Sequence, residues 1–207
     1  MVTCADNLYA LSPAAAAYAV HGRSGSLVSL IELEMDHFLS PTALLEALRK
    51  DDSTAYGDAD PWEEHERDPE AAARFTAAMH SVSERPAAGF AEVAPLDGIE
   101  RLLDVGGGSG ALCLASASAH PDLSCTVWDL QVVCDLAEKY ADEAGLSEQV
   151  RTLAGDMWSE PFPEGHDAVL LSQILHDWSH EQGRVLLDKA FACLPPGGRV
   201  LIHEKLV

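Results

Sequence analysis

LLDVGGGSGALCL, residues 102–114, sets four glycines into five positions between an apolar run and a helix-like run. Glycine lacks the Cβ that would fend off a neighbour, so such a cluster marks a backbone that turns sharply or is approached closely. A strand ending in this loop, with a helix opening after it, gathers free amides and the positive end of a helix dipole at one point. That point suits an anionic group, either a pyrophosphate or a carboxylate. The spacing of Gly106, Gly108 and Gly110 is G-x-G-x-G rather than the G-x-G-x-x-G of dinucleotide loops. The loop alone therefore leaves open a dinucleotide, another nucleoside ligand and a purely structural turn.

On both sides of the loop, short apolar runs alternate with helical stretches. RLLDV, SCTVWDL, VRTLAG, DAVLLSQ and GRVLIHE read as strands, with helices near residues 109–119, 131–144 and 179–193. Near-continuous Leu and Val in the first, fourth and fifth runs indicates strands covered on both faces, hence a mostly parallel sheet with right-handed crossovers. The expected fold class is α/β, a Rossmann-like domain over residues 98–207 preceded by a helical segment over residues 21–97. In that segment Leu27, Leu30, Ile31, Glu34 and Phe38 share one helical face, and TALLEALRK reads as a second helix. Residues 51–60 read as a polar loop, and PEAAARFTAAMHSVSER as a helix that Pro86 ends or kinks. Residues 1–20 read as a hairpin fragment and an alanine-rich stretch.

The formal charge of -21, from 34 acidic and 13 basic residues, repels phosphate backbones and anionic lipid. Neither nucleic acid nor a membrane is expected as a partner. No apolar run nears the roughly 20 residues that cross a bilayer, and MVTCADNLYALSP lacks the basic and apolar regions of a secretion signal. A cytoplasmic location is the expectation. Cys4, Cys113, Cys125, Cys134 and Cys193 are widely spaced and form no CxxC pair, so they read as reduced thiols rather than a disulfide framework or zinc site.

Three acidic residues bear on the ligand. Asp129 ends the second strand, where a carboxylate can bond both hydroxyls of a ribose. Asp156, in AGDMW, ends the third and could accept from an adenine amino group, with Met157 against the ring. Asp104 lies just before the glycines and could receive an ammonium group. Singly, each could equally be a turn or helix cap; together they suit a nucleoside with an amino-acid tail and positive charge.

At these residues the sequence resembles the S-adenosylmethionine-dependent small-molecule O-methyltransferases of the plant caffeate and bacterial antibiotic-pathway type. LLDVGGGSG, VWDL, AGDMW, LLSQILHDWSHEQ and LPPGGRVLIHE carry the likeness, which covers most of residues 60–207. The resemblance implies a class I methyltransferase domain using S-adenosyl-L-methionine, with cofactor contacts from Asp104, Gly106, Gly108, Asp129, Leu130, Asp156, Met157 and Ser172. It implies His176 as catalytic base and Glu204 as the residue that orients it. It further implies a chain truncated at both ends, with residues 1–20 as a remnant of a winged-helix dimerisation region and strands six and seven of the family sheet missing. The edge left by GRVLIHE would then invite a homodimer contact or a partner chain that completes the sheet.

Methyl transfer from a sulfonium is an in-line displacement, so the acceptor oxygen must be aligned and made electron-rich. A phenol, with a pKa of about 10, is mostly protonated at neutral pH, while an imidazole of about 6.5 is available as a base. The expected acceptor is a phenolic small molecule, with Phe75, Met79, His80, Trp158 and Asp177 as candidate lining. His176 and His180 have the i, i+4 spacing of a metal pair, but residue 177 is Asp where HExxH has Glu, so no metal is expected. Competing readings are non-methylating use of the cofactor in cyclisation or hydroxylation, a non-catalytic cofactor-binding subunit, and a nicotinamide dehydrogenase. The last leaves HDW and AGDMW without a role.

Overall fold

A computed structural model describes residues 2–37, 41–51 and 67–205. The chain divides into two compact units, Met1–Arg85 and Pro86–Val207. In the first, β1 (Val2–Ala5) and β2 (Leu8–Leu11) form an antiparallel hairpin. Its two-residue turn, Asp6 and Asn7, takes the left-handed backbone that matches strand twist, with φ 50° and 59°. Helix α1 (Pro13–Tyr18) starts at Ser12, whose hydroxyl accepts the Ala15 amide at 3.2 Å. Helices α2 (Val28–His37), α3 (Pro41–Lys50) and α4 (Pro69–Val93) follow. Phe38 and most of the expected 51–60 loop lie outside the described residues.

Of the two outcomes expected at Pro86, an end or a kink, the end is excluded, because α4 continues to Val93. A proline inside a helix removes one hydrogen bond and costs about 3 kcal/mol. Beyond it, Ala87, Phe90 and Ala91 are buried, and apolar burial of this kind offsets such a cost.

The second unit alternates strand and helix: β3 (Arg101–Val105), α5 (Ala111–Ala119), β4 (Ser124–Asp129), α6 (Gln131–Ala144), β5 (Val150–Ala154), β6 (Ala168–Ser172), a 3-10 turn (Leu175–Asp177), α7 (His180–Cys193) and β7 (Arg199–His203). The sheet order is β5-β4-β3-β6-β7, and all four pairings are parallel. Alternate residues serve opposite faces, as the pleat requires. Leu102, Val127, Leu170 and Leu201 meet α5, α6 and the end of α4 on one side, while Leu103, Val105, Val169 and Leu171 meet Leu186 and Ala190 of α7 on the other. This is the Rossmann-like layer expected. Strands six and seven had been expected to be missing. Counted along the chain with the hairpin included, seven strands are present among the described residues; counted from β3, as that expectation was, the described sheet has five. No helix among the described residues is long and apolar enough to cross a membrane.

Chain order reverses between β3 and β6, since β4 and β5 lie to one side of β3 and β6 and β7 to the other. In open parallel sheets the crevice at the carboxyl ends beside such a reversal is where ligands bind. The glycine loop leaves β3 there and the HDW segment leaves β6 there.

Candidate functional site

The loop after β3 is built from left-handed glycines, with φ 63° at Gly106, 58° at Gly108 and 73° at Gly110. A Cβ at Gly107 would strike the Asp104 carboxyl at 2.8 Å, and one at Gly106 would come within 2.5 Å of Ile174 Cδ1. Gly108 differs, because no described residue lies within 4 Å of where its Cβ would be. Gly107 and Gly106 thus serve close packing, against β3 and against the segment after β6, and a Cβ at Gly110 would meet Val127 Cγ2 of β4 at 3.0 Å, while Gly108 faces open space. Asp129, at the end of β4, binds the loop: its Oδ2 accepts the Gly108 amide at 2.9 Å and its Oδ1 the Leu130 amide at 2.7 Å. Burial pushes the Asp129 carboxyl up against these two amides, with a net upward shift.

Asp104 is 1% exposed under the loop. Its Oδ2 accepts the Cys113 thiol at 3.4 Å, and its Oδ1 has no hydrogen-bond partner among the described residues. Burial raises its pKa to about 7; Cys113 opposes the rise and the Asp129 charge adds to it. Open space over Gly108, a strand-end carboxylate and an orphaned buried carboxylate oxygen agree with a ligand carrying hydroxyls and an ammonium group.

After β5 the chain turns through Asp156, Met157 and Trp158. Asp156 Oδ1 accepts the Trp158 amide at 2.8 Å, so it also caps this turn. Burial raises the Asp156 carboxyl, but the Trp158 and Ser159 hydrogen bonds and the Lys189 charge outweigh it and hold it below its ordinary value. Sequence reasoning missed Lys189. Its ammonium reaches from α7 to the carbonyls of Met157, Trp158 and Glu160 at 2.6, 2.8 and 2.8 Å, fastening the turn that carries Asp156. Lys189 is one of two fixed cations on α7, with Arg184, and nothing in the sequence singled it out. Trp158 packs edge-on to Trp178, ring centres 4.6 Å apart, and its indole nitrogen is buried with no partner among the described residues.

The segment after β6 holds the base candidate. His176 Nδ1 lies 2.8 Å from Glu204 Oε2. Glu204 Oε1 accepts the Ile174 and Leu175 amides at 2.9 and 2.8 Å. On the other side of the ring, His176 Nε2 is 3.3 Å from Asp177 Oδ1. Burial raises the Asp177 carboxyl; the His176 charge opposes this and the Glu204 charge adds to it. Ser172 and His203 pair at 2.9 Å between Oγ and Nδ1, an arrangement the sequence did not suggest.

The glycine loop, Asp104, Asp129, Asp156, Met157, Trp158, Ser172, His176, Asp177 and Glu204 all belong to the second unit, and the strand-end groups among them share its carboxyl edge. Phe75, Met79 and His80 lie partly buried on the first unit's portion of α4. No group of three or more His, Cys, Asp or Glu residues able to hold a metal occurs among the described residues.

Comparison with known proteins agrees with this geometry. The sequence matches the O-methyltransferase domain over residues 42–207. Among curated relatives, the 3-hydroxy-5-methyl-1-naphthoate 3-O-methyltransferase of Streptomyces sahachiroi is 49% identical over 54% of this chain and 32% of its own length. The N,N-dimethyltransferase OxyT of Streptomyces rimosus is 32% identical over 95% of the chain and 58% of its own. Of solved structures, the mitomycin 7-O-methyltransferase MmcR superposes with TM-score 0.80 at 26% identity, covering 98% of this chain and 60% of that one. NcsB1 from neocarzinostatin biosynthesis, in complex with S-adenosylmethionine and 2-hydroxy-5-methyl naphthoic acid, gives 0.78 at 26%, covering 98% and 63%. The chain spans about a third of the length of the first curated relatives it matches. With the profile matching well over half the sequence and the same fold in these structures, the chain belongs to the O-methyltransferase domain family.

Proposed function

We propose that this chain is the cofactor-binding part of an S-adenosylmethionine-dependent O-methyltransferase acting on a hydroxylated aromatic small molecule, with His176 as general base. One observation carries the reading: an imidazole held at 2.8 Å by Glu204 at the sheet edge where the glycine loop and Asp129 also end. When bound, S-adenosylmethionine supplies an electrophilic methyl group on a sulfonium. In this reading the glycine loop at Gly106 and Gly108, whose own amides are taken by Trp128 and Asp129, makes room for the amino-acid end, and Asp104 receives its ammonium group. Asp129 receives the ribose hydroxyls, and Leu130, Asp156, Met157 and Ser172 receive the nucleobase side.

His176 Nε2 takes the phenol proton while Nδ1 donates to Glu204. The imidazolium so formed has a carboxylate at each nitrogen, Glu204 at 2.8 Å and Asp177 at 3.3 Å, which lowers the cost of removing the proton. Within the second unit, Trp158 is the proposed acceptor contact. The naphthoate relatives support an aromatic hydroxy acid as acceptor. We also read the protein as cytoplasmic, supported by its five free cysteines, and as a homodimer.

The test is transfer of labelled methyl from S-adenosylmethionine to a panel of phenols and hydroxynaphthoates by the wild-type chain and His176→Ala. Transfer by the wild type that survives unchanged in the alanine variant sinks the base assignment. A second reading, an amine acceptor, is favoured by the likeness to OxyT along nearly the whole chain; arylamines in the same panel separate the two.

A further inference from the structure

Among the described residues four non-glycines have positive φ: Asp6, Asn7, Asp51 and Gln173. The first three are Asp or Asn, whose short polar side chains tolerate the left-handed region. Gln173, at φ 54°, has no such excuse, and a strained backbone residue points to a local function. The strain sits three residues before His176.

We propose that Gln173 is a positioning residue, whose left-handed backbone builds the cradle that holds Glu204 and through it fixes the His176 tautomer. This deepens the reading of His176 as base and rests on it. Gln173 donates its own amide to the His203 carbonyl at 2.9 Å, continuing the β6–β7 pairing by one step. The left-handed turn at 173, followed by Ile174 at φ -113° and ψ -50°, then brings two successive amides, Ile174 and Leu175, onto one Glu204 oxygen at 2.9 and 2.8 Å. Consecutive amides turned toward one point form an anion-binding concavity. With Oε1 locked there, Oε2 is left facing His176 Nδ1. The side-chain amide of Gln173 reaches the same group only weakly, at 3.5 Å from Oε2, so backbone conformation rather than the amide carries the role.

Two variants and two readouts test this on the full chain. Gln173→Gly keeps access to positive φ, whereas Gln173→Val puts a β-branched residue where it is most strained. Long-range proton–nitrogen spectra of histidine-labelled protein, with His176 assigned by its own substitution, report which ring nitrogen carries the proton near pH 8. The expected result is an Nδ1-protonated ring in the wild type and the glycine variant, and loss of that signature in the valine variant with a cooperative melt retained. Methyl transfer should fall about 10- to 100-fold in the valine variant alone, the scale of a slight misplacement of a reacting group. An unchanged signature in the valine variant overturns the proposal whatever the turnover. Should that variant not fold, the glycine variant decides alone, and loss of the signature there overturns it. A correct tautomer without methyl transfer in the wild type instead counts against the functional reading and leaves the positioning role standing.

Discussion

Asp177 Oδ1 lies 3.3 Å from His176 Nε2, the nitrogen that would have to be free to take a proton from an acceptor. Burial holds the Asp177 carboxyl above its ordinary range, with Glu204 adding to the effect and His176 opposing it. Asp177→Asn removes the carboxylate facing the nitrogen that would receive the acceptor's proton, and with it the support for the imidazolium formed in the reaction. kcat/KM for methyl transfer should therefore fall about 10-fold, the scale of one such charge contact, with the dissociation constant for S-adenosylhomocysteine unchanged. An unchanged kcat/KM would mean that Asp177 faces away during turnover.

Glu204→Gln should be more damaging than its small change in shape suggests. The remaining oxygen can still receive the Ile174 and Leu175 amides now bound to Oε1, but the new amide nitrogen would then confront His176 Nδ1. Two donors in opposition drive the ring to its other tautomer and put a proton on Nε2, where the base is needed. Methyl transfer should fall by about 10²- to 10⁴-fold, with the dissociation constant for S-adenosylhomocysteine little changed in titration calorimetry.

The sheet was legible because RLLDV and AVLLS are apolar without alternation, as doubly covered strands are, and β3 and β6 lie inside the sheet; GRVLIHE, read the same way, is β7, where Val200 and Ile202 are exposed. The glycine loop announced itself as a place of close approach. That Gly106 faces Ile174 was not legible, because this contact depends on the fold bringing β3 beside β6. Whether the helix ends or only kinks at Pro86 stayed open for a related reason, since local propensity cannot count the burial of Ala87 and Phe90. His176 and Glu204 were found through resemblance, and their hydrogen bond closes 28 residues of sequence separation. Nothing in the order QILHDW tells that Gln173 is left-handed.

Lys189 supplies a prediction about the β5 turn. Its ammonium replaces water for the carbonyls of Met157, Trp158 and Glu160. Lys189→Met keeps the stem and leaves those carbonyls to the solvent that reaches this partly exposed site. The loss in unfolding free energy should be about 1–2 kcal/mol. Hydrogen exchange at residues 156–160 should quicken, and affinity for S-adenosylhomocysteine should weaken with it. Faster exchange without weaker binding would separate the turn from the cofactor site.

Asp104 makes stability depend on pH in an unusual direction. Most carboxylates that matter to folding are held below their ordinary pKa and fail in acid; Asp104 is raised from 3.8 to about 7, first by burial. Between those values the folded protein binds the proton that the unfolded chain has released, so unfolding free energy falls as pH rises through this window. Above about 7 both states are ionised and the penalty stays constant. A span of roughly three units corresponds to about 4 kcal/mol, an upper figure because relaxation around the charge reduces it. The excess of acidic residues, 34 against 13 basic, adds a slope of the same sign through self-repulsion, so the wild-type curve alone is not diagnostic. Asp104→Asn removes the single proton and leaves nearly all of that repulsion. Urea unfolding of both proteins from pH 4.5 to 8 should give curves that diverge up to about pH 7 and run parallel beyond it, with the asparagine variant flatter. Curves parallel throughout would mean that Asp104 is not the buried acid it is taken to be.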